Sequence, residues 1–532
     1  MKTTYKNRTN SETHWVYSAI GDICEIITGN TPSKKESNNY GDFLPFVKPP
    51  ELKNCLINSS EDSLSKSGAE KSRKLPKNSV LISCIGILGK VGMNLVPVAF
   101  NQQINAVKPN SIFLPKFLFY QVQSYDFKVQ LESLASATTL PIVNKGKFAT
   151  INVMVAPLPE QKEIVSKIEE LFSELDNGVE SLKKAREQLK TYRQAVLKHA
   201  FEGKLTQEWR EQQIETGNLP EPAEKLLERI KKEREAHYQK QVEEWKKACE
   251  QAKKDGSKKP VRPKKPKDLP PLTEKELAEI PELPEGWEWS YLDYCGYWTG
   301  GGTPSKQRKE YWLDGDVLWV SPKDMKNQYI RITINKITKT AVKESNAKLI
   351  PSGSVLFVVR SGILRRTLPI SITTEISTVN QDLQAFTPFK IFPEYIYWYC
   401  VANEFNIRNN CAKSGTTVES IETTQLKKYR ISLCSPEEQQ AIVSEIETRL
   451  SICNQLEQTI EDSLKKAEAL RQSILKKAFE GELTREWRAA HPELISGENS
   501  AESLLARIRA EKESLRKNSP QRLKGRRGKT KK

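Results

Sequence analysis

The chain has 532 residues, 37% of them hydrophobic and 28% charged, with 84 Lys and Arg against 67 Asp and Glu. This composition excludes a wholly disordered chain, and at roughly one domain per 150 residues it predicts three or four structural units. No apolar run of about 18 residues occurs, and the polar start from Met1 to Ser11 lacks a signal-peptide core, so neither a membrane span nor secretion is expected.

Residues 1–157 read as a first variable globular domain. Short β-rich runs such as Ser79 to Ile87 are bounded by Pro, Gly and Asn, and a helix is predicted from Pro115 to Tyr125. Residues 158–235 read as a helical region, because Ile164, Ile168, Leu171, Leu175, Val179, Leu182, Ala185, Leu189, Tyr192, Val196 and Ala200 follow the mixed three- and four-residue steps of one helix stripe. Gly203 stands where that helix would stop, and the Leu-Thr-x-Glu-Trp-Arg after it should turn the chain. Residues 236–285 begin as a charged, helix-like stretch and become Lys258-Lys259-Pro260-Val261-Arg262-Pro263-Lys264-Lys265-Pro266. Repeated Pro among like charges predicts an extended linker without a core there. A second variable domain is predicted over 286–435, with a strand near Ser354 to Val359 and a helix from Pro393 to Ala402. A second helical region over 436–515 carries its stripe at Ile442, Ile446, Leu456, Ile460 and Ile474, and a basic tail follows over 516–532.

Charge is spread unevenly along these segments. Residues 1–156 hold 18 basic against 11 acidic side chains, 286–434 hold 19 against 13, 231–268 hold 14 against 7, and 516–532 hold nine against none. Two moderately basic domains and two strongly basic short segments make nucleic acid the leading partner class.

The chain is also written twice. Set at a constant offset of 278, residues 160–210 and 438–488 share 21 of 51 positions without a gap, most densely in the Ala-Phe-Glu-Gly-x-Leu-Thr-x-Glu-Trp-Arg that begins at Ala200 and Ala478. The repeat reaches the variable domains more weakly. Trp15 matches Trp287, Thr31-Pro32-Ser33-Lys34 matches Thr303-Pro304-Ser305-Lys306, and Ser79-Val80-Leu81 matches Ser354-Val355-Leu356. Asn101-Gln102 likewise matches Asn380-Gln381, and Thr138-Thr139 matches Thr416-Thr417. Each half is therefore an α/β-type domain followed by a helical unit, an α+β chain overall. Two seams of equal length and pattern predict that the long helices pair with each other as a coiled coil.

Catalytic and metal-binding patterns are missing. The nine cysteines form no C-x-x-C and the four histidines lie far apart, so neither a disulfide framework nor a zinc site is written, and a reducing cytosol fits. Lys48-Pro49-Pro50-Glu51 lacks the residues of a DNA-methyltransferase motif, and Gly86-Ile87-Leu88-Gly89-Lys90 fails the spacing of a nucleotide-binding loop. A nuclease acting alone could be read from Asp42 with Glu51-Leu52-Lys53, but the second copy offers only Asp316 and Asp324 with no matching E-x-K. A scaffold that binds nucleic acid without sequence preference is a further alternative.

The polar side chains of the variable domains suit base and phosphate contacts. Candidates in the first domain are Lys34, Lys35, Lys48, Asn101, Gln102, Gln103, Lys145 and Lys147. In the second they are Lys306, Arg308, Lys323, Arg360, Arg365, Arg366, Asn380, Gln381 and Lys413. For the repeated Asn-Gln pairs a structural turn competes with base reading, since residues shared by two domains of different specificity should be scaffold. Arg360, Arg365 and Arg366 have no counterpart in the first copy and suit specific reading better.

These features resemble the specificity subunit of type I restriction-modification enzymes. The likeness rests on the doubled architecture and on Glu160-Gln161 with Ile164-Val165, repeated at Glu438-Gln439 with Ile442-Val443. It rests also on the Ala-Phe-Glu-Gly-x-Leu-Thr closings and on Leu283-Pro284-Glu285-Gly286-Trp287. The resemblance implies two target recognition domains in tandem, separated by two long helices forming an antiparallel coiled coil with pseudo-two-fold symmetry. Each domain would read one half of a bipartite site in double-stranded DNA. Two methyltransferase subunits would dock alongside and restriction/translocase subunits would join them. Catalysis, with S-adenosylmethionine, ATP and Mg, would lie in those partners, so this chain is expected to be non-catalytic and to hold no cofactor. The setting implied is the cytoplasm of a bacterium or archaeon, on nucleoid DNA. No role transfers to residues 236–285 or 516–532.

Overall fold

In the computed structural model the described residues are 13–108, 110, 113–136, 139–266, 270, 272–278, 280–413 and 418–517. Thr138, Thr416 and Thr417, and the basic tail from 518 onward, lie outside them. The chain divides into two compact units, Met1–Lys184 with Ile460–Lys532, and Ala185–Thr459. Four helices matter below: α1 (Leu158–Phe201), α2 (Ala223–Lys254), α3 (Pro436–Glu480) and α4 (Ala501–Lys517). The cuts between units fall inside α1 and α3.

The first unit holds the first recognition domain, the start of α1, the end of α3, and α4. Its five-stranded sheet runs in the order Glu25–Thr28, Ile104–Lys108, Val80–Ser83, Val91–Asn94, Cys55–Ile57, antiparallel until a last parallel pair. A four-stranded sheet packs Tyr40–Val47 in parallel with Val98–Phe100, and a ribbon pairs Val16–Ala19 with Asn152–Val155. That ribbon joins the domain's two ends immediately before α1. The central strands read as apolar runs because both faces are covered: Val80, Leu81 and Ile82 are all fully buried.

The second unit repeats this plan. Its five-stranded sheet runs Gly296–Gly300, Leu383–Pro388, Val355–Val358, Ile370–Thr373, Tyr329–Ile330, with a three-stranded sheet around Val317–Val320. The ribbon pairing Glu288–Tyr291 with Arg430–Leu433 again closes the domain just before a long helix, here α3. The predicted strands end earlier than the sequence suggests, at Ser83 and Val358. Ser83 Oγ donates to Ile87 O and accepts from Lys90 N, which folds the next residues into a tight loop. The helix from Pro115 also stops early, at Gln121, because Ser124 caps a second helix, Tyr125–Ser133.

Within the first unit the start of α1 runs antiparallel to the end of α3. Ile164, Ile168, Ile474, Leu475 and Ala478 share one core with Phe117 and with Leu504 and Ile508 of α4. In the second unit the end of α1 meets the start of α3, and Ala200, Ile442, Ile446 and Leu450 join Leu226 and Ile230 of α2. The seam expected from the sequence needs one correction. Leu456 is 49% exposed, whereas Ile460 and Ile474 are buried and Leu175, Leu182 and Leu189 are half-buried. The line of buried residues on α3 passes through Cys453 and Ile460, and between them Glu457 rather than Leu456 meets α1, through Arg193 at 2.8 Å. Periodicity of apolar residues could not show this, because a charged residue occupies a seam position.

Helix α2 runs straight through 235/236, where the sequence suggests the linker begins, and its Tyr238 and Val242 are buried. Among the described residues no helix is long and apolar enough to cross a membrane.

Candidate nucleic-acid interface

In each domain the strand that opens the five-stranded sheet runs into a Thr-Pro-Ser-Lys loop, and an Asn-Gln turn braces it. A Cβ on Gly29 would stand 2.2 Å from Asn101 O, and one on Gly301 2.1 Å from Asn380 O, so only glycine lets the loop approach the turn. Asn101 Oδ1 accepts from Gln103 N at 2.7 Å, and Asn380 Oδ1 accepts from Asp382 N at 3.0 Å. Thr31 donates to Gln102 and Thr303 to Gln381. The Asn side chains thus shape turns, while the exposed Gln102 and Gln381 hold, through Thr31 and Thr303, the loops that carry the exposed Lys34, Lys35 and Lys306.

A second pair of loops lies at the far end of the hairpin that centres each sheet. In the second domain Arg360 bridges by backbone to Ser420, while Lys413 N donates to Ser420 O at 2.9 Å. Arg360 pairs with Asp382 at 2.6 Å and Arg365 with Glu419 at 2.9 Å; Arg366 is exposed. In the first domain the equivalent bridge joins Ile85 to Ile142, and the tips carry Ile87, 68% exposed, and Leu140. One backbone frame therefore presents guanidinium groups in one domain and apolar side chains in the other. The Arg365–Glu419 pair is exposed, so it is worth at most about 1 kcal/mol and Arg365 can exchange its partner for a phosphate or base edge, whereas Arg360 holds the half-buried Asp382 through two nitrogens.

Other candidates are placed less favourably. Lys48 is paired with Asp62, whose hydrogen bond raises its pKa above the usual lysine value. Arg308 lies over the Tyr311 ring between Glu310 and Glu344, again with a raised pKa, chiefly through Glu310. Both charges are neutralised locally. Lys147 Nζ donates to Leu134 O at 3.1 Å, whereas Lys145 and Lys323 are simply exposed.

Of the carboxylates that suggested a nuclease, Glu51 and Asp324 have structural duties. Glu51 accepts from Lys48 N at 2.7 Å and Glu61 N at 2.8 Å; Asp324 accepts from Ser321 N and Ile334 N, each at 2.8 Å. Among the described residues no group of three His, Cys, Asp or Glu side chains could hold a metal ion.

What sequence reasoning missed is a buried polar knot where each long helix starts. Glu160 accepts from Trp15 Nε1 at 2.7 Å, Thr484 Oγ1 at 2.8 Å and Arg488 Nε at 2.9 Å. Glu438 accepts from Trp287 Nε1 at 2.8 Å, Thr206 Oγ1 at 2.7 Å and Arg210. The neighbouring glutamines tie the helix to the domain: Gln161 Oε1 accepts from Leu114 N at 2.9 Å and Gln439 Oε1 from Phe392 N at 3.3 Å. Identity of these residues at fixed offsets was the available signal.

The family model described as the type I restriction modification DNA specificity domain matches residues 12–190 and 284–466, more than half of the chain. The chain belongs to the type I restriction-modification DNA specificity family. It is 23% identical over 513 residues to the EcoKI specificity subunit of Escherichia coli, covering 94% of this chain and 95% of that one. It is 27% identical over 408 residues to the EcoDI specificity subunit of Escherichia coli, covering 75% and 76%. A solved structure titled as the basis of assembly and conformational transition of the type I R-M system superposes with a TM-score of 0.59 at 17% identity, covering 88% of this chain and 98% of that one, which shows the shared fold. In this specificity-family chain the two matched segments supply the Trp and Glu of each knot, while Thr206, Arg210, Thr484 and Arg488 fall outside both.

Proposed function

We propose that the two recognition domains each read one half of a bipartite, asymmetric DNA site, and that the helices α1 and α3 fix the spacer and dock two methyltransferase subunits. The single observation that carries this is a shared loop frame with different side chains, guanidinium at Arg360 and Arg365 against apolar at Ile85 and Ile87, on repeated helices. Identical supports with divergent reading edges are what two independent half-sites require. Helices of 44 and 45 residues reach about 66 Å at 1.5 Å per residue, room for two half-sites with an unread spacer. This chain supplies no catalytic group. Adenine methylation with S-adenosylmethionine, and ATP- and Mg-dependent cleavage by restriction/translocase subunits, belong to the partners, in a bacterial or archaeal cytoplasm on nucleoid DNA.

The test is an exchange. Residues 15–155 are replaced by the same region of a relative, and the methylated positions of host DNA are mapped. One half of the recognised sequence should change and the other should stay; a change in both halves would sink the modular reading. The purified chain with DNA and magnesium, but no partner, should cut nothing.

A further inference from the structure

Residues 239–266 lie outside both reading loops and fold back on helix α2. Helix α2 is anchored to the second recognition domain by Leu226 and Ile230 in the core, by Arg234 lying 4.9 Å over the Tyr294 ring, and by His237 stacked 4.1 Å from Tyr297. Tyr238 and Val242 continue the buried stripe, and farther on the helix is covered by its own chain. Gly256, at φ +67°, turns the backbone, and the Lys/Pro segment runs back along the helix until Trp245 Nε1 donates to Pro260 O at 2.9 Å. Lys259 and Arg262 lie 5.6 and 5.7 Å over the Trp245 ring.

Burial along the returning segment has a period of three. Pro260, Pro263 and Pro266 are half-buried, while Lys258, Lys259, Val261, Arg262, Lys264 and Lys265 are exposed. That is the three-residue period of an extended, proline-rich strand laid on α2, with the prolines inward, Lys259 and Arg262 flanking the Trp245 ring, and the other cations outward. Residues 239–266 carry ten basic side chains against four acidic ones, and among the described residues none of the ten makes an ion pair.

We propose that this arm is a phosphate-binding element that grips duplex DNA outside the half-site read by the second recognition domain. The proposal rests on the DNA-reading function argued above. The three prolines, whose rings hold φ, and the Trp245 contact restrict the backbone beforehand, so less ordering entropy is lost when the cations engage. The exposed face suits a phosphate backbone better than a protein surface, because the core of a protein interface is depleted in Lys and built on aromatic anchors. Here the outward face offers cations and one small apolar side chain, Val261.

The experiment uses the full chain with its methyltransferase partner and substitutes Lys258, Lys259, Arg262, Lys264 and Lys265 together by Gln. Binding is measured against salt on duplexes carrying the mapped site, with the flank beyond the second half-site present or trimmed. On the flanked duplex the slope of log K against log salt should fall in magnitude by up to about 0.9 for each phosphate that the variant no longer neutralises, and affinity at low salt should fall at least about tenfold. On the trimmed duplex variant and parent should coincide, and the methylated sequence should be unchanged. An unaltered slope on the flanked duplex would overturn the proposal, as would an equal loss on the trimmed one. A variant that fails to co-purify with the methyltransferase in the absence of DNA would overturn it in favour of a protein contact. The methylation map tests the reading function separately, so failure of the arm and failure of that function give different results.

Discussion

Glu160 and Glu438 are buried carboxylates, and each is balanced by one guanidinium, one indole N–H and one hydroxyl. Removing the cation from such a site leaves a buried charge uncompensated, which costs about 3–5 kcal/mol. Arg488→Met should therefore destabilise the first unit by about 3 kcal/mol, and Arg210→Met the second. Hydrogen exchange resolves the two, because protection should fall around Trp15 in one variant and around Trp287 in the other. The reading loops should respond differently. Arg365 is held only by an exposed pair with Glu419, so Arg365→Ala should leave stability nearly unchanged. It should weaken discrimination at one position of the second half-site by about tenfold or more, as scored by methylation of variant sites. Asn380→Ala should do the reverse, since that side chain caps a turn: lower stability, same bases.

At the scale of elements, α2 and the pair formed by α1 and α3 make separate demands. The pKa of His237 is lowered from 6.5, first by its burial against Tyr297 and Phe389 and then by Lys240, with Glu233 and Glu244 opposing. A depressed histidine is neutral in the folded state where the unfolded chain already binds a proton. Its contribution to stability is thus present above pH 6.5 and is lost as pH falls through the folded value. Amide protection in α2 should accordingly fall as the pH is lowered below 6.5, and His237→Phe should remove that dependence. The long helices, strands and turns are largely legible from periodicity, Gly and Pro, and the repeat gives the pairing of parts. Leu456 misleads because Glu457 occupies the seam, and a charged residue that pairs across a helix interface leaves no apolar signal. The proline-rich return is illegible for a different reason: its partner, Trp245, lies on a charged helix face where one aromatic residue carries no period. At the candidate interface the Asn-Gln turns are legible as either scaffold or reader, and only the Asn101 and Asn380 turn bonds show the scaffold role. Arg308 suggests a phosphate contact by its charge, but Glu310, two residues on, neutralises it first, and the second carboxylate, Glu344, comes from 36 positions away.

At the scale of the whole molecule, the units do not coincide with the halves of the sequence. The first unit takes residues up to Lys184 from one half and Ile460 onward from the other, and the second takes Ala185–Thr459. Insertions of seven residues made in both helices, after Lys184 and after Thr459, should therefore leave each unit whole and change only the spacer between unchanged half-sites. An insertion in one helix alone should abolish binding, and methylation mapping separates the two outcomes. The same division predicts how half a chain behaves. A fragment ending near residue 250 lacks Thr484, Arg488 and α4, the parts that complete the first unit. It contains Thr206, Arg210 and the start of α2, which stand at the same offset of 278 and make the same contacts in the second unit. Two such fragments can each donate to the other what is missing, with Glu160 of one copy accepting from Thr206 and Arg210 of its partner. Closed two-fold association is the usual result of such a self-complementary surface. Light scattering should then report a dimer, and with the methyltransferase partner the mapped site should be an interrupted palindrome of the first half-site. Glu160→Gln in the fragment should weaken the dimer, because it removes the negative charge that would pair with Arg210 of the other copy and turns one of its two accepting oxygens into a donor. A folded fragment that remains monomeric at micromolar concentration with the partner present would show that the two sets of knot residues are not interchangeable, and the pseudo-two-fold exchange would have to be given up.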